Sequence, residues 1–226
     1  GDNGAAQLRV MANSIQDIAG NKLAGDISLV LHESPDIIMP GVQSATVELT
    51  TGVVTILVNE TVDVTPPENV NLTAISFVGS GKNLPMTGSD IDESDDVFLS
   101  FKMPESTRVA SILNSNTPGG DGSTQTLTLL AGSIRDIATN LLPIDNTFIS
   151  LTEVTDFGNP VITSVELNYS TGLVTITCNE TIDGVPSNFV NRSRIFLSDN
   201  AGARQISLEG SITFQQESPT ISILLT

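Results

Sequence analysis

Asn59-Glu-Thr, Asn71-Leu-Thr, Asn168-Tyr-Ser, Asn179-Glu-Thr and Asn191-Arg-Ser are the five triplets in which an asparagine amide could accept an N-linked glycan. A chain this rich in Asn, Ser and Thr would contain roughly four by accident, so their number carries no weight. Placement carries more. Asn59 and Asn179 fall on the outward parity of alternating segments, and Asn168 lies outward beside Val165 and Leu167. A glycan there would leave a core undisturbed. All five are candidate glycosylation sites if the chain passes through a eukaryotic secretory pathway.

The other residue types able to do chemistry are few. Asp90, Asp92, Glu93, Asp95 and Asp96 form the densest acidic cluster and supply oxygens of the kind that calcium takes. The corresponding stretch later in the chain, residues 209–217, has no such cluster, so a solvated loop is expected. Asp17 and Asp136 are each followed four positions on by asparagine, Asn21 and Asn140. Short polar side chains in this pattern cap turns by accepting backbone N–H groups. The stretch from Pro118 to Gly122 is only superficially like a calcium-binding nonapeptide, because it occurs once. His32 is the only histidine and Cys178 the only cysteine, so neither a histidine pair for a metal nor a disulfide within the chain can be built. Val58 stands at the position equivalent to Cys178, which marks the site as a small apolar core position. No nucleophile lies at recognisable spacing from a base, and no phosphate-binding loop is present. The expectation is a protein that is not an enzyme and carries no cofactor.

What must position these residues is a tandem repeat. Residues 51–63 read TGVVTILVNETVD and residues 171–183 read TGLVTITCNETID, identical at nine of thirteen positions with an offset of 120. Residues 14–21, SIQDIAGN, match residues 133–140, SIRDIATN, at an offset of 119. A period near 120 is the size of a domain with its own core rather than of a solenoid unit. The order of the two anchors divides the chain into the tail of one repeat (1–36), a whole repeat (37–155) and the front of another (156–226). Hydrophobic content of 39% supports packed cores, and aromatic content of 4% makes them aliphatic. A net charge of −17 with nine Lys plus Arg argues against nucleic acid as a partner, and no apolar run is long enough to span a bilayer.

Short alternating segments rich in Val, Ile, Leu and Thr predict strands at 7–12, 26–32, 44–49, 53–59, 74–78, 96–103, 125–131 and 147–154. Alternation predicts that Val54, Ile56, Val58, Ile75, Phe77, Leu99 and Phe101 are buried, with Val174, Ile176, Cys178, Ile195 and Leu197 buried likewise. One helix is expected from Pro104 to Leu113, with Val109, Ile112 and Leu113 on one face. The fold class is all-β: antiparallel sandwiches with one short crossover helix per repeat.

A V-T-I strand running into N-E-T-[VI]-D, followed about 75 residues later by S-I-x-D-I-A-x-N, resembles the bacterial-type immunoglobulin-like repeats of surface-layer and adhesion proteins. It is also similar to the long arrays of such repeats in secreted surface proteins of algae and other protists, including those of the flagellar-hair kind. In those repeats the strand usually ends F-S-E, where this chain has Val58-Asn59-Glu60 and Cys178-Asn179-Glu180. The resemblance implies an extracellular or cell-surface setting. The expected function is a structural element of a filament, hair or stalk; the alternative is an adhesin or carbohydrate-binding module, for which exposed aromatic platforms are needed. Residues 156–226 followed by 1–36 make one repeat lacking only the equivalents of 104–120. The expected partners are therefore copies of the chain itself, joined head to tail, each incomplete repeat completed by a neighbour or by a longer polypeptide.

Overall fold

The computed structural model of the protein describes residues 6–199 and 202–225; the opening Gly1-Asp2 turn and the last residue of the closing strand, Thr226, lie outside this set. The chain divides into two compact units, Gly1–Ile38 and Met39–Thr226.

The first unit is a hairpin of β1 (Gln7–Val10) and β2 (Ile27–Val30), with Leu8 opposite Leu29. Between them Asp17 accepts bonds from the backbone and side-chain nitrogens of Asn21, both at 2.9 Å. Asp136 holds Asn140 in the same way in the second unit, at 2.8 and 2.9 Å. These two aspartates therefore fill the turn-capping role that their spacing predicts.

The second unit begins with β3 (Val42–Glu48), β4 (Val53–Val62), β5 (Ile75–Gly79), β6 (Lys82–Pro85), β7 (Asp90–Ile91) and β8 (Asp96–Lys102). Then come α1 (Glu105–Leu113), β9 (Thr126–Leu129) and β10 (Asn146–Val154). The pairing runs continuously in the order β6-β5-β9-β10-β3-β4-β8-β7, with β7, β8, β4 and β3 on one side of β10 and β6, β5 and β9 on the other. β10 joins the two sides. Its first part pairs antiparallel with β9, Ile149 opposite Leu127, and its second part runs parallel to β3, Leu151 beside Ala45. This strand closes the apolar space between the two sides. Gly52 supplies the positive φ, +76°, that the tight β3–β4 turn requires.

The predicted alternation places Val54, Ile56, Val58, Ile75, Phe77, Leu99 and Phe101 in the core, all at most 2% exposed. Asn59 is exposed, as its parity requires. The helix differs from expectation. Leu113 is exposed and Val109 and Ile112 only partly covered, whereas the buried residues of α1 are Arg108 and Ser111. Polar partners decide the buried face. Ser111 and Gln125 bond each other through side chains and backbone at 3.0–3.2 Å, fastening α1 to the start of β9.

The remainder repeats the front of this pattern: β11 (Ile162–Asn168), β12 (Leu173–Ile182), β13 (Phe196–Ser198), β14 (Gln205–Ser207), β15 (Ile212–Thr213) and β16 (Ser218–Leu224). β11, β12, β16 and β15 form a four-stranded sheet, and β13 and β14 a separate hairpin. Among the described residues no strand occupies the places of β9 and β10 here. Val174, Ile176 and Cys178 are buried as predicted, but Ile195 and Leu197 are only half-buried, a correction to the sequence expectation. Their counterparts Ile75 and Phe77 are flanked in the sheet by β9, and among the described residues β13 has no such neighbour.

Candidate functional site at the junction of successive repeats

The polar centre of the second unit lies where the whole repeat meets the partial one, and an arginine organises it. Arg108 projects from the first turns of α1 and is 5% exposed. Its Nε donates to Glu105 Oε2 at 2.7 Å and its Nη2 to Glu105 Oε1 at 2.9 Å, a two-pronged bond favoured by one-turn helical spacing. Nη1 donates to the Leu49 carbonyl at 2.9 Å and to Asp156 Oδ2 at 2.8 Å, and Nη2 also reaches Glu180 Oε2 at 3.5 Å. Each of the five guanidinium hydrogens thus has an acceptor. Glu105 in turn accepts from the Thr181 backbone nitrogen at 2.9 Å. One side chain therefore joins the β3 end, the helix, the connecting segment and β12 of the next repeat.

Short backbone and hydroxyl bonds reinforce the join. Leu49 donates to the Val154 carbonyl at 3.0 Å, and Phe157 donates to Thr50 Oγ1 at 3.2 Å. Beside the knot lies a cleft of about 570 Å³ bordered by Thr50, Lys102, Pro104, Glu105, Asn159 and Asn179. Its lining sets the Lys102 and Arg108 cations among the Asp90, Glu105 and Glu180 carboxylates, groups suited to charge pairing and hydrogen bonding.

Three carboxylates share one guanidinium, and burial and pairing act differently on Glu105 and Glu180. The bond to Glu105 is the largest effect holding the Arg108 guanidinium protonated, well above its ordinary value. Burial pushes the Glu105 carboxyl up, but bonds from Arg108 and the Thr181 nitrogen outweigh it and leave it below the usual range. Glu180 moves the other way: burial first, then the neighbouring Asp156 charge, raises its carboxyl above the usual range despite Arg108. An acid raised on folding contributes stability that is complete below its unfolded value and lost as pH rises through the folded one. Glu180→Gln should therefore match the parent chain in thermal stability near pH 3 and exceed it at pH 7. Scanning calorimetry at the two pH values checks this; a lower midpoint for Gln at pH 7 defeats the assignment.

All five glycosylation candidates are exposed, and all use their side-chain carbonyl locally. Asn59 Oδ1 accepts from the Gly41 nitrogen at 2.6 Å and Asn179 Oδ1 from the Val161 nitrogen at 2.7 Å, so both brace the irregular start of the preceding strand. Asn168 caps the β11–β12 turn through the Ser170 nitrogen at 2.9 Å, Asn71 accepts from the Thr73 nitrogen at 3.1 Å, and Asn191 accepts from Ser193 Oγ at 2.7 Å. The structure does not bring these five together in one site. The acidic loop is also dispersed by local bonds. Asp95 accepts from the Val64 nitrogen at 2.8 Å and from the Thr65 hydroxyl, Asp92 from Ser94, and Asp96 from the Val97 nitrogen. The Val64 N–H, then Thr65, draws the Asp95 carboxyl below its ordinary range. His32 is exposed, and the Cys178 thiol is buried and pushed up by burial, the state of an inert core thiol.

Sequence reasoning passed over Arg108. A readable signal existed in the acids, because Asp156 and Glu180 have counterparts Asp36 and Glu60 at the same offset of 120. The arginine itself falls in the only stretch of the repeat represented once. No family model matches the chain, and no curated protein matches it. Among the described residues no helix is long and apolar enough to cross a membrane.

Proposed function

We propose that this chain is a structural repeat protein of an extracellular filament, hair or stalk, built from tandem immunoglobulin-like sandwiches that assemble head to tail. The observation that carries the reading is the Arg108 knot. A buried ion cluster contributes little net stability over apolar packing, but it specifies one arrangement, because any other leaves charges buried without partners. A junction of this kind holds consecutive repeats at a set angle, which is what a rod requires and an isolated binding module does not. The sheet led by β11 supports the same reading, since its apolar side is only half covered.

The adhesin alternative draws less support. Of eight Phe and one Tyr, only Phe77 and Phe101 are buried; Phe98, Phe148, Phe157, Phe189, Phe196, Phe214 and Tyr169 are exposed. Exposed rings of this kind suit a stacking surface, but no cleft lining includes more than one of them. N-glycans on Asn59, Asn71, Asn168, Asn179 or Asn191 fit a secreted rod. Native material is expected to exceed the bare polypeptide by whole hexosamine-containing masses that a glycosidase removes; an unmodified mass rejects the glycans without touching the rod. The rod itself is tested by negative-stain electron microscopy and light scattering over a hundredfold range of concentration. Extended particles that lengthen with concentration are expected, and a compact monomer throughout overturns the proposal.

A further inference from the structure

The hairpin of the first unit resembles the pair β9–β10, and among the described residues the repeat that begins at β11 has no strand in their places. Several of the hairpin's internal bonds have counterparts between β9 and β10, although β1 and β2 pair without the irregularity that β10 carries between Asn146 and Ile149. Ala6 donates to Glu33 Oε1 at 2.7 Å as Gln125 donates to Glu153 Oε1 at 2.9 Å. Ala12 donates to Asp26 Oδ1 at 2.9 Å as Ala131 donates to Asp145 Oδ1 at 2.7 Å. The Gln16–Lys22 bridge repeats the Arg135–Leu141 bridge. What differs is cover. Leu127 and Leu151 are at most 3% exposed, whereas their counterparts Leu8 and Leu31 are 50% and 43% exposed. On the other side, Ala45 is 2% exposed and its counterpart Val165 is 59% exposed. Donor and acceptor are thus both apolar and both open.

Resting on the filament reading above, we infer that the β1–β2 hairpin of a second copy inserts into the partial repeat as β9 and β10 do in the whole one, and in the same register. β1 lies antiparallel to β13, Leu8 opposite Leu197 and Gln7 opposite Ser198, as Leu127 lies opposite Phe77 and Thr126 opposite Val78. Residues 31–34 run parallel beside residues 165–168, as residues 151–154 run beside residues 45–48. Ser14 offers its carbonyl to the Asn191 nitrogen, as Ser133 does to Asn71 at 2.8 Å. Every backbone group of the two edges acquires a partner of the kind seen in the whole repeat, and the half-covered apolar face is closed. The occupant is set by register. Sliding the hairpin by one residue turns Leu8 and Leu29 outward.

The test uses the full chain carrying Cys178→Val, which removes the one native thiol in favour of the residue found at its counterpart. One preparation carries Gln7→Cys and the other Ser198→Cys, both at exposed positions, so a disulfide can form only between copies. A control replaces Ser198→Cys by Gln205→Cys, which lies opposite Ser198 on β14 and one strand further from the incoming hairpin. Two strand spacings, about 9.6 Å, exceed disulfide reach. After mixing and mild oxidation, the 7–198 pair is expected to give at least about ten times more linked dimer than the 7–205 pair. Equal yields, or none for 7–198 in samples that still form fibres, overturn the hairpin insertion and leave the filament reading standing. Absence of any assembly overturns both.

Discussion

Replacing Arg108 by alanine is expected to lower the stability of the second unit by about 3–5 kcal/mol, the range for removing one partner of a buried ion cluster. The loss arises less from the bonds themselves than from what remains. Glu105, Asp156 and Glu180 would face one another without the guanidinium, and the Leu49 carbonyl would be buried without its donor. In urea, with a slope of about 2 kcal/mol per molar, the midpoint should fall by about 2 M. Arg108→Lys should recover less than half of this, because a point charge cannot reproduce the two-pronged bond to Glu105 or reach five acceptors at once. A midpoint shift below about 0.5 M for the alanine variant would show that the knot is incidental to the junction.

The second large effect contrasts one substitution at two equivalent positions. Ile75→Ala is expected to cost about 3–4 kcal/mol, since Ile75 is fully buried in the core beside its strand partner Leu129 and the surrounding strands cannot collapse into the space. Ile195→Ala in the unassembled chain should cost about 1 kcal/mol, because Ile195 is only half-buried and has less buried surface to lose. Denaturation of the two variants at low protein concentration measures both numbers. On assembly the difference should shrink as the hairpin covers Ile195, so the concentration at which fibres form should rise for Ile195→Ala and not for Ile75→Ala. Equal costs at low concentration would mean that the partial repeat already possesses a closed core.

Much of this molecule was legible in the order of its residues. Period-two alternation dictates which side chains face inward, because a strand offers no other way to bury Val54, Ile56 and Val58 while exposing Asn59. The repeat, its offset and its turn-capping aspartates follow from the same local rules, and the all-β class follows from them. What alternation cannot specify is the neighbour that covers a face. Val54 and Val174 look alike in sequence and are alike in structure, whereas Ile75 and Ile195 look alike and differ, since cover depends on a strand from elsewhere. The change of β10 from antiparallel to parallel pairing is likewise a property of its neighbours, not of the segment itself. Arg108 makes the same point in polar terms. Helical spacing marks Val109, Ile112 and Leu113 as the apolar stripe, yet the tertiary structure buries the arginine, because acceptors separated from it by 48 to 72 residues converge there and together outweigh the cost of removing one charge from water.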